Sequence, residues 1–488
     1  MTKEAPVVLW FRRDLRLGDH AALLEASKHS KHVLALYVLD EVLLKPGGAV
    51  REAFLYGCLE KLDEQLGGRL MLVRGEPAVE VVRAARKIGA AAVHVSADAG
   101  PYGRRRDAEV AKALAENNIN WVETGSPYAV TPGRVTKPGG DPYRVFTPFH
   151  RAWTAHGRPS PADTGPSLVD WLEPPTSLKI PKPPKVSATL PEPGERAALD
   201  VWHAFLGEGI ETYDSDRDRP DREGTTRLSP YLRWGCVHPR TLLADLAGDD
   251  RAGAKSLRSE ICWREFHADV LWHRPETARE NYDKRFDAMK HDDDPEAFER
   301  WCEGRTGYPI VDAGMRQLLA EGWMHNRVRM VVASFLVKDL HLPWWRGARH
   351  FMKHLVDGDL ASNQLNWQWV AGCGTDAAPY FRIFNPTTQG EKFDPNGDYV
   401  RKYVPELRGV EGKAVHQPKE RPEGYPEPMV DHAHERQVSL ARYGKITTAS
   451  AAQGFRQLDA AADPQHAVAV DPAAQPGEQG DQRDRQPE

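Results

Sequence analysis

The chain has 488 residues, 40% hydrophobic and 28% charged, with 65 basic and 70 acidic side chains and a formal net charge of −5. That composition describes a globular protein of more than one domain; no apolar run reaches the roughly 18 residues of a membrane span, and the apolar stretch near the N-terminus is too short for a signal peptide. Cys58, Cys236, Cys262, Cys302 and Cys373 form no CxxC pair, which excludes a disulfide scaffold, argues against a metal or iron–sulfur centre and suits a reduced, cytoplasmic protein.

The first 125 residues alternate strand and helix. Val7–Phe11, His32–Leu39, Arg69–Val73, Ala91–Val95 and Asn120–Glu123 read as short strands rich in Val, Leu and Ile. Between them Arg51–Leu66 places Phe54, Leu55, Cys58, Leu59, Leu62 and Leu66 on one helical face, and Pro77–Ile88 opens with proline in its first turn. Strands separated by helices predict an α/β domain with a parallel, doubly wound sheet over residues 1–130. No GxGxxG follows the first strand, so the usual dinucleotide-binding version is excluded.

Residues 131–194 read as a connector: ten of the 38 positions in Gly157–Gly194 are proline, a density no helix survives. From 195 to 446 strand alternation gives way to helices, predicted at Ala197–Leu206, Pro239–Leu246, Leu257–Trp272, Ile310–Glu321, Arg327–Asp339 and Arg346–Asp357. Residues 447–488 lack the large apolar side chains to offset ordering entropy and read as a disordered tail. Ala451–Glu488 carries seven acidic and three basic residues. The rest of the chain is thus close to neutral, which permits a local basic groove for nucleic acid.

Three clusters in the helical half carry chemistry. Tyr213 to Ser229 ends in EGTTRLS before a helical run; its hydroxyls, backbone N–H groups and Arg227 suit either a diphosphate grip or a plain helix cap. Glu260, Trp263, Arg264 and His267 share one helix face, and a solvated salt-bridge stripe leaves the indole unexplained. The third cluster runs through MHNRVRM, VDGDLASNQLNWQWV and PYFRIFNPTTQGEKF. Asn326 and Met330 share a helix face, and Asp357 and Asp359 lie in a DGD turn before Asn363, Trp367 and Trp369. A buried arginine–aspartate pair accounts for part of this, and a charged cofactor gives such a pair its reason.

These strings, together with VLWFRRDLRLGDH near the start and YPEPMVDHAHER near residue 436, resemble the DNA photolyase/cryptochrome family, and within it the class I cyclobutane pyrimidine dimer photolyases. The resemblance covers both domains. It implies an α/β antenna domain and an all-helical domain holding FAD in its reduced, anionic form, with UV-damaged DNA as partner and a monomeric protein. Tyr213, Thr225, Thr226, Arg227, Leu228 and Ser229 match FAD contacts, chiefly to its phosphates. Arg329 and Asp357 match an ion pair beside the isoalloxazine, with Gly358 and Asp359 near its polar edge and Asn363 facing flavin N5.

Trp263 and Trp369 match indoles that pack on the dimer, and Glu260 and Asn326 the groups that hydrogen-bond its pyrimidine edges, with Glu260 expected to have a raised pKa. Met330 lines that pocket, and Arg217, Arg264, Arg327 and Gln389 match DNA contacts. Trp367 and Trp344 match the inner and middle members of a tryptophan chain that photoreduces the flavin; at the usual surface member this chain has His291, with Trp301, Tyr282 and Trp345 as candidate substitutes. Arg51 and Asp98 match contacts to an antenna chromophore, 8-hydroxy-5-deazaflavin with methenyltetrahydrofolate as the alternative, although Gly100 stands where a glutamate is often found. Arg51 also reads as a helix-start salt bridge. A cryptochrome-type sensor without repair activity is the competing reading, against which Asn363, Glu260, Met330 and the paired indoles count.

Overall fold

The computed structural model describes residues 4–376 and 381–460, with side chains through 447. Five parallel strands, β1 (Val7–Phe11), β2 (His32–Leu39), β3 (Leu70–Arg74), β4 (Ala92–Val95) and β5 (Asn120–Glu123), lie in the order β3-β2-β1-β4-β5. β1 and β2 are buried almost throughout, which is why they read as unbroken apolar runs rather than alternating ones. Helices on both faces, including α1 (Gly48–Gln65), α2 (Pro77–Ile88) and α3 (Pro101–Ala115), complete a doubly wound domain. The order reverses between β1 and β4, so the loops after their carboxyl ends open the crevice where such sheets take ligands.

The proline-rich segment returns across the sheet. Its two residues Asp170–Trp171 form β6 and pair in parallel with His32 and Val33 of β2, and no helix occurs in 157–194. Just before it, α4 (Phe146–His156) buries Phe149 and Trp153. The helical half packs around α5 (Ala252–His273), α6 (Asn326–Ser334), α7 (Trp344–His354) and α8 (Leu360–Ala371). Pro343 sets the start of α7, two residues before the expected boundary, because proline is poor inside a helix and good at its entrance. The last helix, α9 (His432–Ala460), runs through residue 447, where the sequence places the start of a tail; residues 461–488 of that tail lie outside the described residues. Among the described residues no helix is long and apolar enough to cross a membrane.

One core cluster spans the two halves. It runs from β1 and β2 through Phe54 and Leu59 of α1 to Trp202, Tyr231, Trp234, Leu257 and Phe266, so the α/β and helical parts share buried surface.

Candidate functional site

Three elements bring the predicted residues together: α5, α6 and α8, with the 213–234 segment beside them. Asp359 precedes α8 and caps it, its Oδ1 accepting from Ser362 N at 3.0 Å. That cap fixes the turn carrying Asp357 and Gly358 and the helix carrying Asn363, Trp367 and Trp369.

Arg329 on α6 donates from Nη2 to Asp357 Oδ2 at 2.8 Å and from Nε to the Met324 carbonyl at 2.7 Å. The other carboxylate oxygen, Asp357 Oδ1, is buried without a protein partner. Buried polar atoms rarely stay unpaired, so this oxygen is an acceptor waiting for a donor. Asn363 is buried, and its amide nitrogen donates to Ala348 O at 3.0 Å and Gln364 Oε1 at 2.9 Å. Its carbonyl oxygen is therefore the atom left to meet a ligand N–H. An unpaired carboxylate oxygen and an oriented amide oxygen suit the N–H-bearing edge of a flavin, so the residues present fit FAD.

The 213–229 segment supplies the polar wall. Tyr213 is buried under Arg217, whose guanidinium lies 5.8 Å from the ring centroid. Thr225 and Thr226 are half-buried. Arg227 adopts φ +52°, a left-handed conformation held by stacking over Trp323 at 3.7 Å and by an ion pair to Glu321 at 3.1 Å. Ser229 Oγ accepts from Trp323 Nε1 at 3.1 Å, and Leu228 N donates to Thr226 Oγ1 at 3.3 Å. The helix that begins at Ser229 has no side-chain cap hydrogen bond, so the plain-cap reading of this segment does not hold.

On α5, burial pushes the Glu260 carboxyl up, against the lowering effect of Arg217, which ion-pairs with it at 2.7 Å. Arg217 also donates to Ser256 Oγ at 2.8 Å. Trp263 is half-buried and stacks face to face on Phe146 at 3.7 Å with 6° between the planes. Trp369 donates from Nε1 to the Asp376 carbonyl at 3.1 Å, and the Phe146 backbone hydrogen-bonds the Asp376 carboxylate. Thr375 Oγ1 donates to the Arg144 carbonyl. The two indoles are thus tied to one strut made of 144–146 and 375–376.

Asn326 is exposed at the first turn of α6, with Met330 half-buried one turn on. Arg327 pairs with Asp218 at 2.8 Å and covers the Phe393 ring at 4.5 Å. Gln389 lies half-buried on the helix Pro386–Phe393.

Two of the expected contact residues engage their side chains within the protein. Arg264 shares the face of Glu260 by spacing, yet its guanidinium donates to Pro127 O at 3.0 Å and Leu232 O at 3.1 Å and lies over Tyr128 at 4.4 Å. Its donors are spent on joining the two halves rather than held out for DNA. Asp359 turns its second oxygen to Arg13, 2.5 Å away on the loop after β1, so both of its oxygens are engaged within the protein. Burial alone would raise its pKa, but Arg13, Arg233 and Arg264 hold this carboxyl well below the usual range.

Arg51 donates to the Gly47 and Pro46 carbonyls at 2.7 and 3.1 Å rather than to a carboxylate, so it is not the helix-start salt bridge of the alternative reading, and burial lowers its pKa to about 10. Asp98 takes Arg106 at 3.1 Å and Gly100 N at 3.1 Å. Arg233 adds a buried Nη1 without a partner. Sequence reasoning missed Arg13, Arg233, Phe146, Trp323 and Asp376. Only the arginine pair in FRRD, placed where the first strand of a doubly wound sheet ends, carried a usable signal.

Trp367 is buried, with its ring against Gly347 of α7, where a Cβ would sit 2.2 Å from it. Trp344 lies one turn before Gly347 and donates from Nε1 to Asn281 Oδ1 at 2.8 Å. No group of three or more His, Cys, Asp or Glu side chains suited to a metal ion occurs among the described residues.

Two sequence profiles match the chain: "FAD binding domain of DNA photolyase" over residues 256–445 and "DNA photolyase" over 7–167. A deoxyribodipyrimidine photo-lyase of Agrobacterium fabrum is 40% identical over 474 residues, covering 91% of this chain and 98% of that protein. The crystal structure of a bacterial class III photolyase from Agrobacterium tumefaciens superposes with a TM-score of 0.85 at 39% identity, covering 92% of this chain and 99% of that one. An archaeal photolyase from Sulfolobus tokodaii, with two FAD molecules, gives 0.81 at 31% identity over 90% of this chain and all of that one. A class III protein stands among these neighbours, so the likeness shows the family and not the class I assignment expected from the sequence.

Proposed function

From the premise that this chain belongs to the DNA photolyase family, we propose that it repairs cyclobutane pyrimidine dimers in DNA by light, through FAD held between α5, α6 and α8. The observation that carries this reading is that α5 and α6 both pack on α8, so the Asp357–Arg329 pair, Asn363 and the two tethered indoles Trp263 and Trp369 lie on adjoining elements. Bound there in its reduced, anionic form, FAD supplies the photoexcited electron that splits the dimer.

The protein's part is binding and orientation. The lesion leaves the duplex, as it does for photolyases generally, and its bases stack on Trp263 and Trp369, each stack contributing about 1–3 kcal/mol. Phe146 and Asp376 keep both indoles from rotating. Asn326, exposed at the start of α6, meets the pyrimidine edges. Glu260 has a second role because Arg217 neutralises it in the free protein. When a DNA phosphate draws Arg217 away, its lowering influence on Glu260 goes and the carboxyl pKa moves further up, which favours the protonated form that donates to a pyrimidine carbonyl.

An antenna chromophore belongs in the crevice after β1 and β4. Arg13, Arg51, Arg233 and Arg264 outnumber Asp98 and Asp359 there, and the buried Arg233 Nη1 lacks a partner. A cationic excess suits the acidic hydroxyl of 8-hydroxy-5-deazaflavin, the chromophore proposed here, and equally the carboxylates of methenyltetrahydrofolate, the alternative. Titrating each into the protein and reading excitation transfer to FAD decides between them.

The repair reading is tested with an oligonucleotide carrying one thymine cyclobutane dimer, mixed with reduced protein in blue light or darkness. Light-dependent return of two thymines, lost in Glu260→Ala/Trp263→Ala, is the expected result. Tight lesion binding and bound FAD without repair would replace it with the cryptochrome-type sensor.

A further inference from the structure

Trp344 is 2% exposed, so an electron path that ended there would have no contact with solvent. His291, at the position where an indole would complete the path, is a poor one-electron donor. Its ring instead abuts the edge of Trp345, with centroids 5.3 Å apart at 79°. Trp345 meets Trp344 edge to face, 6.0 Å between centroids at 81°, and is 39% exposed.

The other two aromatic candidates lack an outlet or a suitable field. Trp301 touches Trp367 at 6.2 Å but is fully buried, its Nε1 committed to the Val332 carbonyl at 3.1 Å. Tyr282 carries the Arg274 guanidinium 4.6 Å over its ring, and a cation over the ring opposes a positive hole on it. Trp344 enjoys the opposite setting, since its N–H donates to the neutral Asn281 oxygen, a bond that strengthens when the indole becomes cationic.

We propose that Trp345 is the surface terminus of the electron-supply path, so that electrons enter from solvent through Trp345, then Trp344, then Trp367. This rests on the flavin reading above. One electron leaving Trp367 for light-excited oxidised FAD leaves a hole that moves outward to Trp344 and Trp345. A soluble thiol fills it at the surface. Two such events give the flavin two electrons and convert two thiols into one disulfide with release of two protons.

The test irradiates FAD-loaded oxidised protein with blue light, without oxygen. One sample contains dithiothreitol, and loss of oxidised-flavin absorbance is followed; another contains a nitroso spin trap and no thiol, and the adduct is located by peptide mass spectrometry. The adduct is expected on the peptide bearing Trp345. Trp345→Phe should slow flavin reduction about tenfold, about 1.4 kcal/mol on the barrier, and His291→Trp added to that variant should restore the rate and move the adduct to the peptide containing position 291. FAD content and thermal melting report whether each variant is folded. An adduct on the wild-type peptide bearing Trp301 or Tyr282, or an unchanged rate in Trp345→Phe, overturns the proposal. If Trp367→Phe also reduces at the wild-type rate, the flavin path itself is wrong, and a repair assay on chemically reduced protein judges the proposed function separately.

Discussion

Replacing Arg13 by methionine tests whether the α/β domain holds the flavin side in place. Arg13 Nη2 lies 2.5 Å from Asp359 Oδ2, with side-chain exposures of 19% and 10%, and Asp359 also caps α8. Deleting one partner of a buried ion pair costs about 3–5 kcal/mol. Asp359 keeps the Ser362 cap and the fields of Arg233 and Arg264, so about 3 kcal/mol, the low end, is expected. The sign with pH follows from the depressed pKa of Asp359. Its contribution is present above the unfolded carboxylate pKa of about 3.9 and is lost as pH falls through the lower folded value. In Arg13→Met the folded pKa rises, so part of that contribution is missing at neutral pH and the remainder fades at a higher pH than in the parent. Guanidinium unfolding followed by FAD release and by helix signal measures this, and Arg13→Met, Asp359→Asn and the double variant form a cycle. A coupling energy under about 0.5 kcal/mol would sink the argument, since contacting residues couple above that level.

Further outcomes follow from the lesion and flavin walls. Trp263→Ala should weaken binding of dimer-containing DNA by about 1–3 kcal/mol while leaving undamaged DNA nearly unaffected, as read by fluorescence anisotropy with both oligonucleotides. Because burial raises the Glu260 pKa, lesion affinity should fall as pH rises through that value; Glu260→Gln, which keeps the donor at every pH, should flatten the profile. Asp357→Asn leaves Arg329 without its anion and should loosen FAD by about 1.5–3 kcal/mol, the scale of a charged hydrogen bond, measured as the FAD remaining after gel filtration.

Strands were legible where burial on both faces demanded apolar residues: β1 and β2 fall at the expected residues, and β5 does so although its ends are exposed and its centre only half-buried. The helical character of α5 was readable too, whereas the pairing of Arg329 with Asp357 and the place of Asn363 came from the resemblance of their motifs to the photolyase family rather than from spacing. The direction of Arg264 was not. A spacing of four puts it on the face of Glu260, but α5 is packed on nearly every side, and the bonds to Pro127 and Leu232 come from chain segments far away. The Arg13–Asp359 contact joins residues 346 positions apart, and nothing local in either stretch announces the other. The helix Phe146–His156 lay hidden in a stretch read as connector, since it owes its formation to burying Phe149 and Trp153 rather than to a strong periodic pattern.

The strut of 144–146 and 375–376 bears on how such a protein can be divided. In the polypeptide, Phe146 comes before the proline-rich segment and would travel with the α/β half in any exchange of parts. In space it backs Trp263, and its neighbours hold the loop that fixes Trp369. A fragment beginning at residue 195 would keep the flavin-facing residues yet leave one face of the Trp263 indole bare. A chimera that imports another antenna domain must therefore be joined upstream of this strut, since a graft made at the prolines would separate lesion recognition from its own support.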